Sequence, residues 1–214
     1  MMMAIYRKIP LAKILKGRSL RIAELQDEVV LELSKKFDFV VHGGTAVWRI
    51  YGGKRFSRDI DIYHSDPQRI AEHFSKVFNV VRVKITPSKV LYLRIVDKAT
   101  VELEASPPFE EIETIESDFW LVDGSSVVVK TLTPENLVKE KVRAFLDRKK
   151  ARDLYDIYYL LDFCEKEIGS ELRKVLPELK EAPRDFSGLK ELILMGMAPS
   201  FETIVRKVRR YAKG

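Results

Sequence analysis

Five β-rich runs crowd into the 54 residues from Asn79 to Leu132, and none follows. They are NVVRVKI, KVLYLRIV, TVELEA, FWLV and VVVKTL, rich in Val, Ile and aromatic residues. Runs of that length and composition read as strands. At Thr133 the pattern changes to apolar residues at helical spacing, and it stays so to the end. This segregation predicts an α+β chain: a mixed α/β part over 1–132, then an all-helical part over 133–214.

The first part carries helices as well. Leu20, Ile22, Leu25, Val29 and Leu33 recur at helical spacing between Ser19 and Phe37. Phe39–Val41 reads as a short strand ending at Gly43-Gly44. Thr45–Tyr51 reads as a helix closed by Gly52-Gly53, Asp59–Tyr63 as a strand, and Pro67–Val77 as a helix with proline in its first turn. Asp123-Gly124 marks a hairpin turn between the last two runs. Beyond Thr133, a candidate N-cap with Pro134 in first position, helices are expected over 134–148, 152–165, 168–176, 187–195 and 200–212, the last capped by Ser200.

A hydrophobic content of 46% suffices for a packed core. No apolar run approaches the roughly 20 residues of a membrane span. The basic opening has neither an uninterrupted apolar core nor a small-residue cleavage site, so a cytoplasmic protein is expected. The single Cys164 leaves no internal disulfide and sits in an apolar helical pattern as a structural thiol. The net charge of +6 is uneven: +5 over residues 1–18, −4 over 19–129 and +5 over 130–214. An acidic middle between basic ends suits a cation-binding centre with phosphate-binding flanks. RKKAR (148–152) and RKVRR (206–210) are basic clusters that suit RNA phosphates. The acidic run EEIETIESD (110–118) reads as a loop facing a partner protein.

The segment from Gly43 to Tyr63, GGTAVWRIYGGKRFSRDIDIY, concentrates the chemistry. Residues two apart on a strand share a face, so Asp59 and Asp61 point together while Ile60 and Ile62 take the apolar side. Two close carboxylates repel, and a divalent cation removes that cost. Mg²⁺ favours carboxylate oxygen and completes its shell with phosphates and water. A strand ending in Gly43-Gly44 at a helix mouth exposes backbone N–H groups to an anion, and Thr45 adds a hydroxyl there. Together these predict a two-metal site for phosphoryl-type transfer. TVELEAS offers a third carboxylate, Glu102 or Glu104, as ligand or as base for an attacking hydroxyl. Spacing does not choose between them. Arg58 is expected to pair with Asp59 as a structural partner, with Arg55 left open.

GGTAV followed by RFSRDIDIY closely resembles the first motif of the nucleotidyltransferase superfamily, the DNA polymerase β-like fold. Combined with PENLVKEKVRAFLDRKKARDLYDIYYLL, it resembles the AbiEii/AbiGii-type nucleotidyltransferase toxins. The two blocks cover about 50 residues. The resemblance implies that Gly43, Gly44 and Thr45 cradle phosphates, that Asp59 and Asp61 hold metal, and that Lys141 contacts nucleotide phosphates. It makes Asp153 the acid of the last motif, active in base activation and nucleotide positioning, with Asp156 as its rival on the same helix face. Periodicity alone does not separate Lys141 from Lys139, and it leaves both aspartates readable as surface charges near a helix N-terminus. The extra Gly52-Gly53 departs from the family pattern and is expected to lengthen the turn.

The implied activity is Mg²⁺-dependent transfer of an NMP from an NTP to an acceptor hydroxyl, with RNA or tRNA as acceptor, nucleotide and metals lying in a cleft between the two parts. It further implies a toxin of a type IV toxin–antitoxin pair with an antitoxin protein as partner. Transfer to a protein side chain and a catalytically silent nucleotide- or RNA-binding module are the alternatives.

Overall fold

A computed structural model describes residues 9–108 and 112–213. Two compact units are present: residues through Gly52 with Ser57–Thr131, and Gly53–Phe56 with the chain from Leu132 onward.

The first unit opens with a single turn, α1 (Leu11–Ile14), and the long α2 (Gly17–Lys36). Strand β1 (Val40–His42) runs into α3 (Gly43–Thr45), which continues as a π-helical turn over Ala46–Ile50. Next come β2 (Ile60–Tyr63) and α4 (Pro67–Val77). Asp66 caps α4 by accepting the Arg69 N–H at 3.2 Å, with Pro67 in first position. The remaining strands are β3 (Val80–Ile85), β4 (Leu91–Val96), β5 (Thr100–Ser106), β6 (Thr114–Trp120) and β7 (Ser126–Leu132).

These strands form one mixed seven-stranded sheet in the order β3-β4-β5-β2-β1-β7-β6. β1 lies antiparallel to β2 and parallel to β7, and β2 lies parallel to β5. Thr131 fastens β7 to β1 through a hydroxyl bond to the Val41 carbonyl, 2.8 Å. Alternation along the central strands buries Val41, Ile60, Ile62, Leu91, Leu93, Val101, Leu103 and Ala105 completely. That apolar face packs with α2 and α4. The opposite face carries the polar residues between them.

The structure corrects the sequence reading in two places here. The expected helix 45–51 is a short α-turn followed by a π-turn. Residues 114–118 of the acidic run are not a loop: they belong to β6, next to β7 at the sheet edge. Residues 109–111 lie outside the described residues.

The π-turn carries Arg49. Its side chain is wholly buried between the rings of Trp48 and Phe119, at 4.9 and 4.7 Å from their centroids. The guanidinium donates to Asp27 of α2 and, through Nε, to the Trp120 carbonyl at 2.7 Å. The other Asp27 oxygen accepts the Val122 N–H at 2.7 Å. Burial pushes the Asp27 carboxyl up and the Arg49 guanidinium down, against their mutual attraction. The pair ties α2, the π-turn and the end of β6 into one knot.

In the second unit, α5 (Pro134–Arg148) starts as its sequence indicates, with Thr133 accepting the Asn136 N–H at 3.3 Å. It is followed by α6 (Ala151–Leu160), α7 (Gly169–Val175), α8 (Leu189–Leu192) and α9 (Phe201–Lys213), with 3₁₀ turns at Leu176–Glu178 and Phe186–Gly188. Ser200 caps α9 through the Thr203 N–H, 3.2 Å. Leu137, Val142, Leu154, Ile157, Leu172, Ile204 and Val208 are fully buried and make the core. The helix expected over 152–165 stops at Leu160. The Glu135 carboxylate captures the N–H groups of Glu165 and Lys166, at 2.7 and 3.0 Å, and holds the chain in a reversal there. The helix expected over 187–195 shrinks to a 3₁₀ turn and α8, because Ile193 instead pairs as an extended bridge with Arg55. Burial pushes the Cys164 thiol up to about 12. Among the described residues no helix is long and apolar enough to cross a membrane.

Asp27→Ala leaves a buried, uncompensated guanidinium. It is expected to destabilise the protein by about 3–5 kcal/mol, read as a lowered urea midpoint with an unchanged slope.

Candidate active site

The centre of the polar sheet face is a row across four strands. His42 on β1 sits opposite Asp61 on β2. Asp61 sits beside Glu104 on β5, and Glu104 sits opposite Tyr92 on β4. Register partners point to the same face, so the two carboxylates and the phenol are neighbours. The Tyr92 hydroxyl feels them: partial burial raises its pKa first, and the negative charges of Glu104 and Asp61 raise it further. The His42 ring stacks on Tyr63 with centroids 3.9 Å apart and planes 3° from parallel, which walls one end of the row.

The register separates the two glutamates that spacing left equivalent. Glu102 shares the face but is held by Arg94, at 2.7 Å to Nε and 2.6 Å to Nη2. Glu104 is the glutamate beside Asp61.

Gly43 shapes the other side. Its φ of +69° lies in the left-handed region. A Cβ there would fall on the Asp61 carboxylate, 2.8 Å from Cγ. Only glycine lets the β1–α3 turn pass this close to the acid, so the turn and the Asp-x-Asp strand form one cradle. Gly44 follows, buried, at the start of α3. Thr45 is fully buried, and its hydroxyl donates to the Asp59 carbonyl. That bond pins the start of β2 to the turn, so the hydroxyl expected to face a phosphate is committed internally. Asp59 itself is exposed, one residue before β2. Arg58 is exposed as well.

Among the described residues no three His, Cys, Asp or Glu side chains cluster tightly enough to hold a metal ion by themselves. The donor set still suits Mg²⁺, which is commonly held by one or two carboxylates and completed by substrate phosphates and water. Asp59 and Asp61 would supply the carboxylates, with Glu104 adjacent.

The second unit holds a separate polar cluster. Asp156 of α6 is completely buried and accepts both Nε and Nη2 of Arg55 at 2.8 Å each, in a bidentate fork. It also holds the Lys141 ammonium at 3.0 Å. Burial alone would raise the Asp156 carboxyl, but the two cations and their hydrogen bonds together hold it below the usual carboxylate range. Lys141 is buried, whereas Lys139 is exposed and bonds Asn136 at 3.2 Å. The structure thus separates two lysines that periodicity could not. Neither aspartate is a surface charge: Asp153 is also fully buried, in a second bidentate fork with Arg148, 2.7 Å for each bond. Asp156, rather than Asp153, meets Lys141. Arg55 is the residue that sequence reasoning left unassigned. Its signal lay in Gly52-Gly53, where the chain leaves the first unit. Gly53–Phe56 belongs to the second, held by the Phe56 N–H on Leu192 and the Leu194 N–H on Lys54.

Asp156→Ala strands two buried cations and is expected to cost about 3–5 kcal/mol at pH 7. A carboxyl depressed on folding stabilises above its unfolded pKa of about 3.9, and that contribution is lost as pH falls through the lower folded value. The variant's deficit in urea midpoint should therefore narrow in acid, below about pH 4.

The model of the AbiEii nucleotidyl transferase toxins of Type IV toxin–antitoxin systems matches residues 31–206. The crystal structure of JHP933 from Helicobacter pylori superposes with a TM-score of 0.68 at 20% sequence identity, covering 93% of this chain and 94% of that one. A second H. pylori structure, described as a nucleotidyltransferase, gives a TM-score of 0.67 at 21% identity, with 93% and 96% covered. At such identity these two likenesses speak for the fold. No curated protein matches the sequence. With 176 of its 214 residues inside the family model, the chain belongs to the AbiEii nucleotidyl transferase toxin family.

Proposed function

We propose that the protein transfers a nucleoside monophosphate from an NTP to a hydroxyl of RNA, with tRNA as the favoured acceptor, and that it acts in the cytoplasm as the toxin of a type IV pair restrained by an antitoxin protein. The observation that carries this reading is the cradle in which Gly43, bare of a Cβ, lies against the Asp61 carboxylate with Glu104 at its side. Membership of a nucleotidyl transferase family supports it.

In this reading the N–H groups of Gly43 and Gly44 hold the triphosphate, since the Thr45 hydroxyl bonds the Asp59 carbonyl. Asp59 and Asp61 hold Mg²⁺, which when bound offsets the charge that develops on the α-phosphoryl and pyrophosphate oxygens. The acceptor hydroxyl oxygen bonds to the α-phosphorus while the α–β bridging bond breaks, and pyrophosphate leaves with the electron pair. The hydroxyl proton passes to Glu104, the glutamate in register with Asp61. The family resemblance assigns the Lys141 ammonium to phosphate, and within the second unit Asp156 and Arg55 act as its positioning residues.

The test is label transfer from each α-labelled NTP to total RNA and to cell protein. Wild type should label RNA in Mg²⁺. Glu104→Gln should slow transfer about 10²–10⁴-fold, whereas Glu102→Gln should stay within a few-fold. Label on protein would change the acceptor. Loss of label in Glu102→Gln but not in Glu104→Gln would overturn the assignment of the base.

A further inference from the structure

The two basic clusters of the sequence are physically unlike. In RKKAR three of the four cations, all but Arg152, are paired within the second unit. Arg148 forks onto Asp153, Lys149 reaches Glu178 at 3.0 Å, and Lys150 lies 3.9 Å from Asp185. In RKVRR only Lys207 is so engaged, on Asp162 at 2.6 Å and over the Tyr158 ring at 4.4 Å. Arg206, Arg209 and Arg210 are exposed and, among the described residues, none makes an ion pair, although Arg210 lies 5.2 Å from the Tyr211 ring centroid.

These arginines line a groove of about 800 Å³ together with Lys180 and Lys213, against a single acid, Glu202. Its apolar floor is Leu179, Phe201 and Val205. Ile204, Val208 and Ala212 fix the opposite side of α9 in the core, so the cations cannot turn inward. From 206 to 213 the charges run along the helix at i, i+3, i+4 and i+7, about 10 Å at ~1.5 Å per residue. One strand of a nucleic acid presents a phosphate about every 3.4 Å of axis, so the row spans about three phosphates.

We propose that this face of α9 docks the phosphate backbone of RNA. The proposal deepens the reading of RNA as acceptor and rests on it for its biological meaning, while the binding itself requires neither NTP nor metal. A line of uncompensated guanidinium groups suits a linear polyanion, and arginine forks suit phosphate oxygens.

The test uses the full chain and unfractionated tRNA in filter binding from 50 to 200 mM salt, without NTP or Mg²⁺. Arg206→Gln/Arg209→Gln/Arg210→Gln should weaken binding at least tenfold at the low-salt end. It should also reduce the slope of log affinity against log salt by about three, roughly one per charge removed. Lys149→Gln/Lys150→Gln removes two charges that are already paired and should stay within twofold. Matching thermal melts show that both variants are folded. Equal losses in the two variants, or no loss in the first, would overturn the proposal. So would displacement of tRNA by poly-glutamate at equal charge, which would mark a surface for an acidic protein. Unchanged labelling of RNA by the α9 variant would refute the docking face and leave the transferase reading intact. Failure of wild type to label any RNA, with the salt-dependent binding as described, would do the reverse.

Discussion

The contact between the Gly43 backbone and the Asp61 carboxylate organises the first unit. It requires a left-handed residue without a side chain at the end of β1. It also requires β2 to run antiparallel beside β1, so that Asp61 arrives opposite His42. The sheet order places β2 between β1 and β5 at the centre. Central strands are buried on one face and keep register strictly, because a slip of one residue would turn the carboxylates into the core. The same register brings Glu104 from a strand about 40 residues later in the chain. The acidic row is thus a product of topology as much as of the Asp-x-Asp motif.

The second unit is organised by the opposite device, a buried aspartate that two cations neutralise. Removing charge from water is costly, and the fork from Arg55 plus the Lys141 ammonium offset that cost for Asp156. Such a cluster fixes the rotamer of a lysine that would otherwise wander. The fork between Arg148 and Asp153 does the same for the turn between α5 and α6. The two aspartates of ARDLYD therefore have distinct partners, although both sit on one helix.

Much of this was legible in the sequence, for identifiable reasons. The segregation of β-rich runs before Thr133 and helices after it marks the α+β class, because strand and helix periods differ. Thr133-Pro134, Pro67 and Ser200 announce helix starts through local chemistry, and the Asp66 cap of α4 emerged only in the structure. The glycine turn and the aspartate pair stand out because neither is explained by packing. What stayed hidden depends on register and long-range pairing. Glu102 and Glu104 differ only in the strand neighbour each meets. Lys139 and Lys141 differ only in which one faces Asp156. Arg55 pairs with a residue 101 positions away, and the paired and unpaired basic clusters look alike as letters. The resemblance to the toxin family points to Asp153 with Asp156 as its rival, and the structure puts Asp156 on Lys141 and Asp153 on Arg148.

The claim on which the functional reading turns is that the Asp59–Asp61 face takes a nucleotide together with a divalent cation. Calorimetric titration of the purified protein with each NTP, with and without Mg²⁺, addresses it directly beside Asp61→Asn. The expected result is binding of at least one NTP that needs Mg²⁺ in the wild type and vanishes in the variant while the thermal melt is preserved. Equal NTP affinity with and without Mg²⁺, unaltered by Asp61→Asn, would contradict it and return the aspartate pair to a solvated strand face.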